Sequence, residues 1–224
     1  MKLALLGCIH GNPWAFEAVL EDLARMGVQE RYLLGDLVGD APGNNDVVAE
    51  VRKRNLSALM GHWDAACVTG DASLLREGAP EADPEGLRNA LARVRGALEP
   101  THQAFLLGLP KSLRLTVEGV RLHLAHGSPH RLTVGVAPED AAAHRASLEA
   151  ARADVFGCAH THRAFVARAG PGLVVNAGSV GQSADGPEAS YALVTLESGK
   201  AEAVIRRVAY DVAAWQKARA AAER

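Results

Sequence analysis

The chain has 224 residues, of which 48% are hydrophobic and 4% aromatic, and its formal net charge is −2. That length suits one large domain or two small ones, with a core drawn mainly from Leu, Val and Ala. Acids and bases are interspersed, which argues against an extended nucleic-acid surface, and no apolar run reaches the roughly 18–20 residues of a membrane helix.

The N-terminal Met1-Lys2-Leu3-Ala4-Leu5-Leu6-Gly7 is too short for a secretory signal, and a polar, turn-rich His10-Gly11-Asn12-Pro13 follows it. We read Leu3–Leu6 as a buried first strand of a cytoplasmic protein. Pro13 opens a helix with Trp14, Ala18, Leu20, Leu23 and Ala24 on its apolar face, and Gly27 can end it. Tyr32–Leu34 is a second strand. A glycine-rich loop, 35–44, leads to a helix over Asn45–Arg54 and a third strand over Leu56–Met60. This is βαβαβ wiring, which gathers its loops at the carboxyl ends of the strands, where open α/β sheets bind ligands. The rhythm breaks at about 69–108, where Leu87, Leu91, Val94 and Leu98 mark an amphipathic helix. This insertion is either surface packing or a helical cap over the site. Strands at 113–117 and 120–125 alternate as an antiparallel pair does. A helix near 138–151 follows, then strands near 154–156, 163–168, 172–176, 190–196 and 201–208, and a terminal helix over about 211–221. Three cysteines, Cys8, Cys67 and Cys158, do not make a disulfide framework.

Nine histidines are present, and their placement carries the information. His10, Asp36, His62, His126, His160 and His162 all follow a predicted strand or lie in the loop after it. Such positions converge on one edge of an α/β sheet, which points to a metal site rather than to core packing. His102, His123 and His144 fall outside the pattern.

The local sequences resemble the calcineurin-like metallophosphoesterases, in order from residue 1 to about 214. Cys8-Ile9-His10-Gly11-Asn12 resembles the family's D-x-H-G-N, Gly35-Asp36-Leu37-Val38-Gly39 its G-D-x-x-G, and Gly61-His62-Trp63-Asp64 its G-N-H-D. His126-Gly127-Ser128 matches H-G-S, and Ala159-His160-Thr161-His162 is similar to G-H-T-H. Asn176-Ala177-Gly178-Ser179-Val180-Gly181-Gln182 is similar to N-P-G-S-V-G-Q. Ser190-Tyr191-Ala192 and Tyr210-Asp211 also fit, and the nearest likeness is to the small bacterial phosphodiesterases.

The resemblance implies a single 1–224 domain folded as a four-layer αββα sandwich, two mixed sheets flanked by helices. It implies two divalent metal ions about 3.5–4 Å apart and a metal-bound hydroxide that attacks phosphorus. Asp36 would bridge the ions. His10 and His162 would hold one with residue 8, and His126 and His160 the other with residue 62. Asp64 would orient its neighbours, while Asn12 would contact substrate or simply cap the helix at Pro13.

Three positions depart from the family pattern. Cys8 replaces an aspartate, and it either ligates as a thiolate, at about 2.3 Å from zinc, or stays a buried thiol. His62 replaces an asparagine. Both changes move the donor set towards zinc or iron, with manganese still accommodated. Trp63 replaces a histidine thought to protonate the leaving group; indole cannot do this, but it can stack on an aryl group or base. His130 is a speculative substitute acid. Arg114, Arg131 and Arg163 are candidates for phosphate contact. Cys67 and Cys158 read as packing residues, and Trp14 and Trp215 as core or interface anchors. The leading expectation is therefore a metal-dependent phosphodiesterase acting on a small phosphorylated substrate such as a nucleotide, in a monomer or homo-oligomer. The alternative is a binding or scaffold protein that kept the fold and lost turnover. A metallo-β-lactamase reading fails because the chain has no H-x-H-x-D-H run.

Overall fold

The computed structural model describes residues 1–222. Two five-stranded mixed sheets face each other. With β1 (Lys2–Leu6), β2 (Glu30–Leu33), β3 (Ser57–Ala58), β9 (Ala189–Glu197) and β10 (Lys200–Val208), the first sheet has the order β10-β9-β1-β2-β3. The second has the order β4-β5-β6-β8-β7, from β4 (Ser112–Val117), β5 (Val120–Ala125), β6 (Val155–Cys158), β7 (Phe165–Ala169) and β8 (Gly172–Asn176).

Strand alternation sorts the apolar residues into layers. On β1, Leu3 and Leu5 join Leu122, Leu124, Leu173, Val175 and Val194 between the sheets. Ala4 and Leu6 face the other way, beneath helices α1 (Pro13–Arg25) and α2 (Asn44–Lys53), where Phe16, Leu20, Val47 and Val51 are buried. On the outer face of the second sheet, Phe156 and Val174 pack against Ala151 of α7 (Ala141–Ala151). The expected αββα sandwich is the observed one.

Between β3 and β4 the chain is helical: α3 (His62–Thr69), α4 (Ser73–Gly78), α5 (Pro84–Ala97) and α6 (Pro100–Leu107). The amphipathic reading anticipates α5. Helix α3, unanticipated, begins where the Asp64 carboxylate accepts the Gly61 N–H at 2.8 Å and ends at Gly70, in the left-handed region at φ 79°. The third strand is shorter than the expected Leu56–Met60. Leu56 N–H bonds back to Val51 in α2, and Met60 N–H bonds to Pro110, so only the middle of the run stays in the ladder. Trp14 meets Trp215 of the terminal helix α8 (Val212–Ala222) with ring centroids 5.8 Å apart, so both anchor the packing of two helices.

Candidate metal centre

Five parallel strands deliver the donors at their carboxyl ends: in the first sheet, β1 leads to Cys8 and His10, β2 to Asp36 and β3 to His62. In the second sheet, β5 leads to His126 and β6 to His160 and His162. The loops are pinned to one another. Cys8 N–H bonds Gly35 O at 3.0 Å and Ile9 N–H bonds Asp36 O at 2.8 Å, while Ala159 N–H bonds His126 O at 2.9 Å across the second sheet. Five candidate donors, Cys8, His10, Asp36, His160 and His162, have φ between 49° and 67°. Non-glycine residues are uncommon there, and such strain concentrates at functional sites.

Asp36 is the centre. His62 Nδ1, His126 Nε2 and His10 Nε2 lie 2.9, 3.3 and 3.5 Å from its Oδ2. That oxygen is buried and, among the described residues, has no partner in hydrogen-bonding geometry. The other oxygen accepts the Trp63 N–H at 2.9 Å. Imidazole nitrogens also converge on one another: His10 on His162 at 2.9 Å, His62 on His126 at 3.1 Å and His160 on His126 at 3.2 Å. Two triads result, Cys8 with His10 and His162, and His62 with His126 and His160, each with donor atoms within 4.8 Å of one another. Cys8, Asp36 and His126 form a third overlapping set that joins them.

This arrangement fits bound cations. Burial drives the imidazoles of His10 and His160 down to about 3 and lowers His162 as well, so at neutral pH their nitrogen lone pairs are free to coordinate. Burial, then the Asp36 carboxylate, raises the Cys8 thiol well above its usual range. Burial opposes ionisation of Asp36, but the flanking His126 and His62 hold it low. His126 is held up by Asp36 despite its own burial, and its Nδ1 is paired with Leu34 O at 2.8 Å, which presents Nε2 to the centre.

Other residues singled out in the sequence surround the donors without joining them. Asp64 is buried; its carboxylate accepts from Asp36 N and Gly61 N at 2.8 Å and from Val38 N at 3.1 Å, so it shapes the Asp36 loop. Asn12 caps α1, one of the two roles expected of it. It is fully buried; its oxygen accepts Ala15 N–H at 3.1 Å, and its amide donates to Gly181 O and to the Tyr210 hydroxyl. Arg114 is tied to Ala151 O and Arg163 to Glu139; Arg131 reaches the site's rim through Glu77 at 3.1 Å.

A cleft of about 590 Å³ opens over the donors, walled by Trp63, Glu77, Gly78, Thr133, Thr161 and Gln182. Of the 69–108 segment, the end of α4 lies over the donors: a Cβ on Gly78 would stand 3.0 Å from His160 and 3.1 Å from His62. Glu77 closes one side by accepting from Thr133 Oγ1 at 2.6 Å. Sequence reasoning missed Glu77, Gly78 and Thr133, which carry no motif. Asn176 and Ser179 lie in a motif to which the sequence assigns no role; Asn176 donates to Ala159 O at 2.8 Å and Ser179 to Cys8 O at 2.7 Å, each fixing a donor loop.

A two-sheet α/β sandwich with a carboxylate and imidazole cluster at its carboxyl edge is the architecture of the metallophosphoesterases. The chain belongs to the calcineurin-like phosphoesterase superfamily, whose domain model matches residues 1–199. It is 26% identical over 228 residues to the uncharacterized protein MJ0912 of Methanocaldococcus jannaschii, covering 94% of this chain and 88% of that one. A metallophosphoesterase from Sphaerobacter thermophilus superposes with a TM-score of 0.78 at 26% identity, covering 100% of this chain and 94% of that one. The hypothetical protein PH1004 from Pyrococcus horikoshii shares the fold, with a TM-score of 0.81 at 22% identity over 99% of this chain and 93% of that one.

Proposed function

We propose that the chain is a metal-dependent phosphodiesterase with a binuclear centre. Cys8, His10 and His162 would hold one divalent ion, His62, His126 and His160 the other, and Asp36 would serve both. The observation that carries this reading is the buried Asp36 Oδ2, ringed by three imidazole nitrogens and without a hydrogen bond. An uncompensated buried carboxylate oxygen is costly, and cations between it and the imidazoles would resolve that cost.

When bound, divalent ions neutralise charge on the phosphoryl oxygens and supply the acidity that activates water. The chain's own groups determine the rest. Among the described residues, no Lys or Arg lines the cleft, and Glu77 adds a carboxylate to its wall. A monoester dianion would meet that carboxylate with more charge to offset than a singly charged diester, which favours diesters. Hydrogen bonds from Thr133 and Arg131 hold Glu77 ionised, so it cannot donate a proton to the leaving group. Trp63 cannot do so either, and His130 is not among the lining residues. The leaving group must therefore depart largely unprotonated, which favours acidic leaving groups such as a phenol or a nucleotide departing through a phosphate oxygen, and the Trp63 indole offers a stacking wall for an aryl group or base. The Cys8 and imidazole donors favour zinc or iron over magnesium.

The test combines metal content per chain with turnover of bis(p-nitrophenyl) phosphate against p-nitrophenyl phosphate. Two transition ions per chain, a preference for the diester and loss of at least a hundredfold in Asp36→Ala are expected. A metal-replete chain that hydrolyses neither compound would instead support the scaffold reading, which the missing proton donor at residue 63 favours.

A further inference from the structure

A second cavity, of about 760 Å³, lies in the helical segment among α3, α4 and α5. One stripe of α5 builds its floor. Pro84, Leu87, Arg88, Leu91, Ala92 and Arg95 recur at the three- and four-residue steps that share a helix face. Leu91 is buried and Leu87 half-buried, so the floor is apolar.

The charge above that floor is one-sided. Three guanidinium groups line the cavity, from Arg76, Arg88 and Arg95, against one carboxylate, Asp71. Arg95 is half-buried and anchored, its Nη1 donating to Cys67 O at 2.6 Å. Arg76 and Arg88 are exposed and have neither an ion pair nor a hydrogen-bond acceptor among the described residues. Asp71 is engaged by the Ser73 N–H at 2.9 Å. A concentration of unpaired positive charge over apolar side chains, in a chain whose net charge is −2, needs its own explanation. The volume lies within the usual range of small-molecule pockets, and guanidinium forks suit phosphate, sulfonate and carboxylate groups.

We propose that this cavity binds a small organic anion with an apolar body, the anionic group on Arg76 and Arg88 and the body on Leu87 and Leu91. The site is distinct from the metal cleft but shares a wall with it. On α4, Ser73 and Arg76 line this cavity, while Glu77 and Gly78 line the cleft over His62 and His160. The proposal stands whether or not the metal centre turns over.

The probe is anilinonaphthalene sulfonate, which combines a sulfonate with fused apolar rings, titrated by fluorescence into the full chain. One equivalent is expected to bind. The surface double variant Arg76→Gln/Arg88→Gln should weaken binding at least tenfold, and Ala92→Trp, which fills the cavity from an exposed position, should block it. Asp36→Asn, in the metal cleft, should leave it unchanged. Absence of stoichiometric binding, indifference to both cavity variants, or loss in Asp36→Asn would each overturn the assignment.

Discussion

At residue 8 a thiol stands among imidazoles. Cys8 is fully buried, its Sγ accepts the His160 N–H at 3.3 Å, and it shares a donor set with His10 and His162. A thiolate is a soft ligand and a carboxylate a hard one, so under the proposed binuclear reading this residue should bias the metal that its donor set selects. Cobalt loading tests this directly: the wild type should show a near-ultraviolet sulfur-to-cobalt charge-transfer band that Cys8→Ser lacks. In Cys8→Asp the band should vanish while two ions still bind, and competition should shift towards manganese and magnesium. An identical spectrum in wild type and Cys8→Ser would show that the thiol is not a ligand. Trp63 poses the complementary question about the leaving group. Its backbone is fixed by Asp36 Oδ1, and its side chain lines the cleft. Trp63→His should therefore raise turnover of diesters with poor, alkyl leaving groups, by roughly tenfold or more for a positioned acid. It should do little for p-nitrophenyl esters, and equal effects on both classes would refute a role in protonation.

At the scale of elements, the site is a set of strand-end loops, and the sequence shows why these were legible. Buried parallel strands read as apolar runs, and each run ends in a donor-bearing loop, so His10, Asp36, His62, His126, His160 and His162 could be grouped before any contact was known. The helices of the 69–108 segment were less legible. Helix α4 has only six residues and α6 eight, too few for a periodic signal. Asn12 shows how one residue can serve both motif and element, because the side chain that opens the donor loop also caps α1 and donates to Gly181 O and to the Tyr210 hydroxyl. Asp64 does the orienting expected of it, supporting the donor loops without joining the donors. Burial and the Asp36 carboxylate push Asp64 up to about 7, against its three backbone N–H donors. Asp64→Asn turns one acceptor oxygen into a donor facing those N–H groups, and each buried donor left unpaired costs about 1–3 kcal/mol. The variant should melt at lower temperature and bind metal more weakly, because the Asp36 loop loses its anchor. A variant with an unchanged melting temperature but no activity would instead place Asp64 in the chemistry.

Across the whole molecule, acid stability should depend on a histidine outside the metal centre. His123 lies on β5 between Arg114 of β4 and Phe156 of β6, its ring 5.8 Å from the phenyl ring. It is only 2% exposed, and neither ring nitrogen has a partner among the described residues. Burial, with Arg114 and His130 nearby, lowers its imidazole from 6.5 to about 4. The folded chain therefore resists a proton that the unfolded chain accepts. Stability should be full above the unfolded value and fall as pH drops from about 6.5 to about 4, by on the order of 2 kcal/mol. Any ions held by the candidate donors would be lost over the same range, so the comparison is best made on chelated protein, where His10 and His160 contribute equally to both chains. His123→Leu replaces two unpaired nitrogens with apolar volume beside Phe156. It should raise the melting temperature at neutral pH and flatten its decline between pH 6.5 and 4.5 relative to the wild type. If the two chains lost stability in parallel, the acid sensitivity would lie in the centre's own imidazoles, and the sheet's outer face would accommodate a charged His123 at no cost.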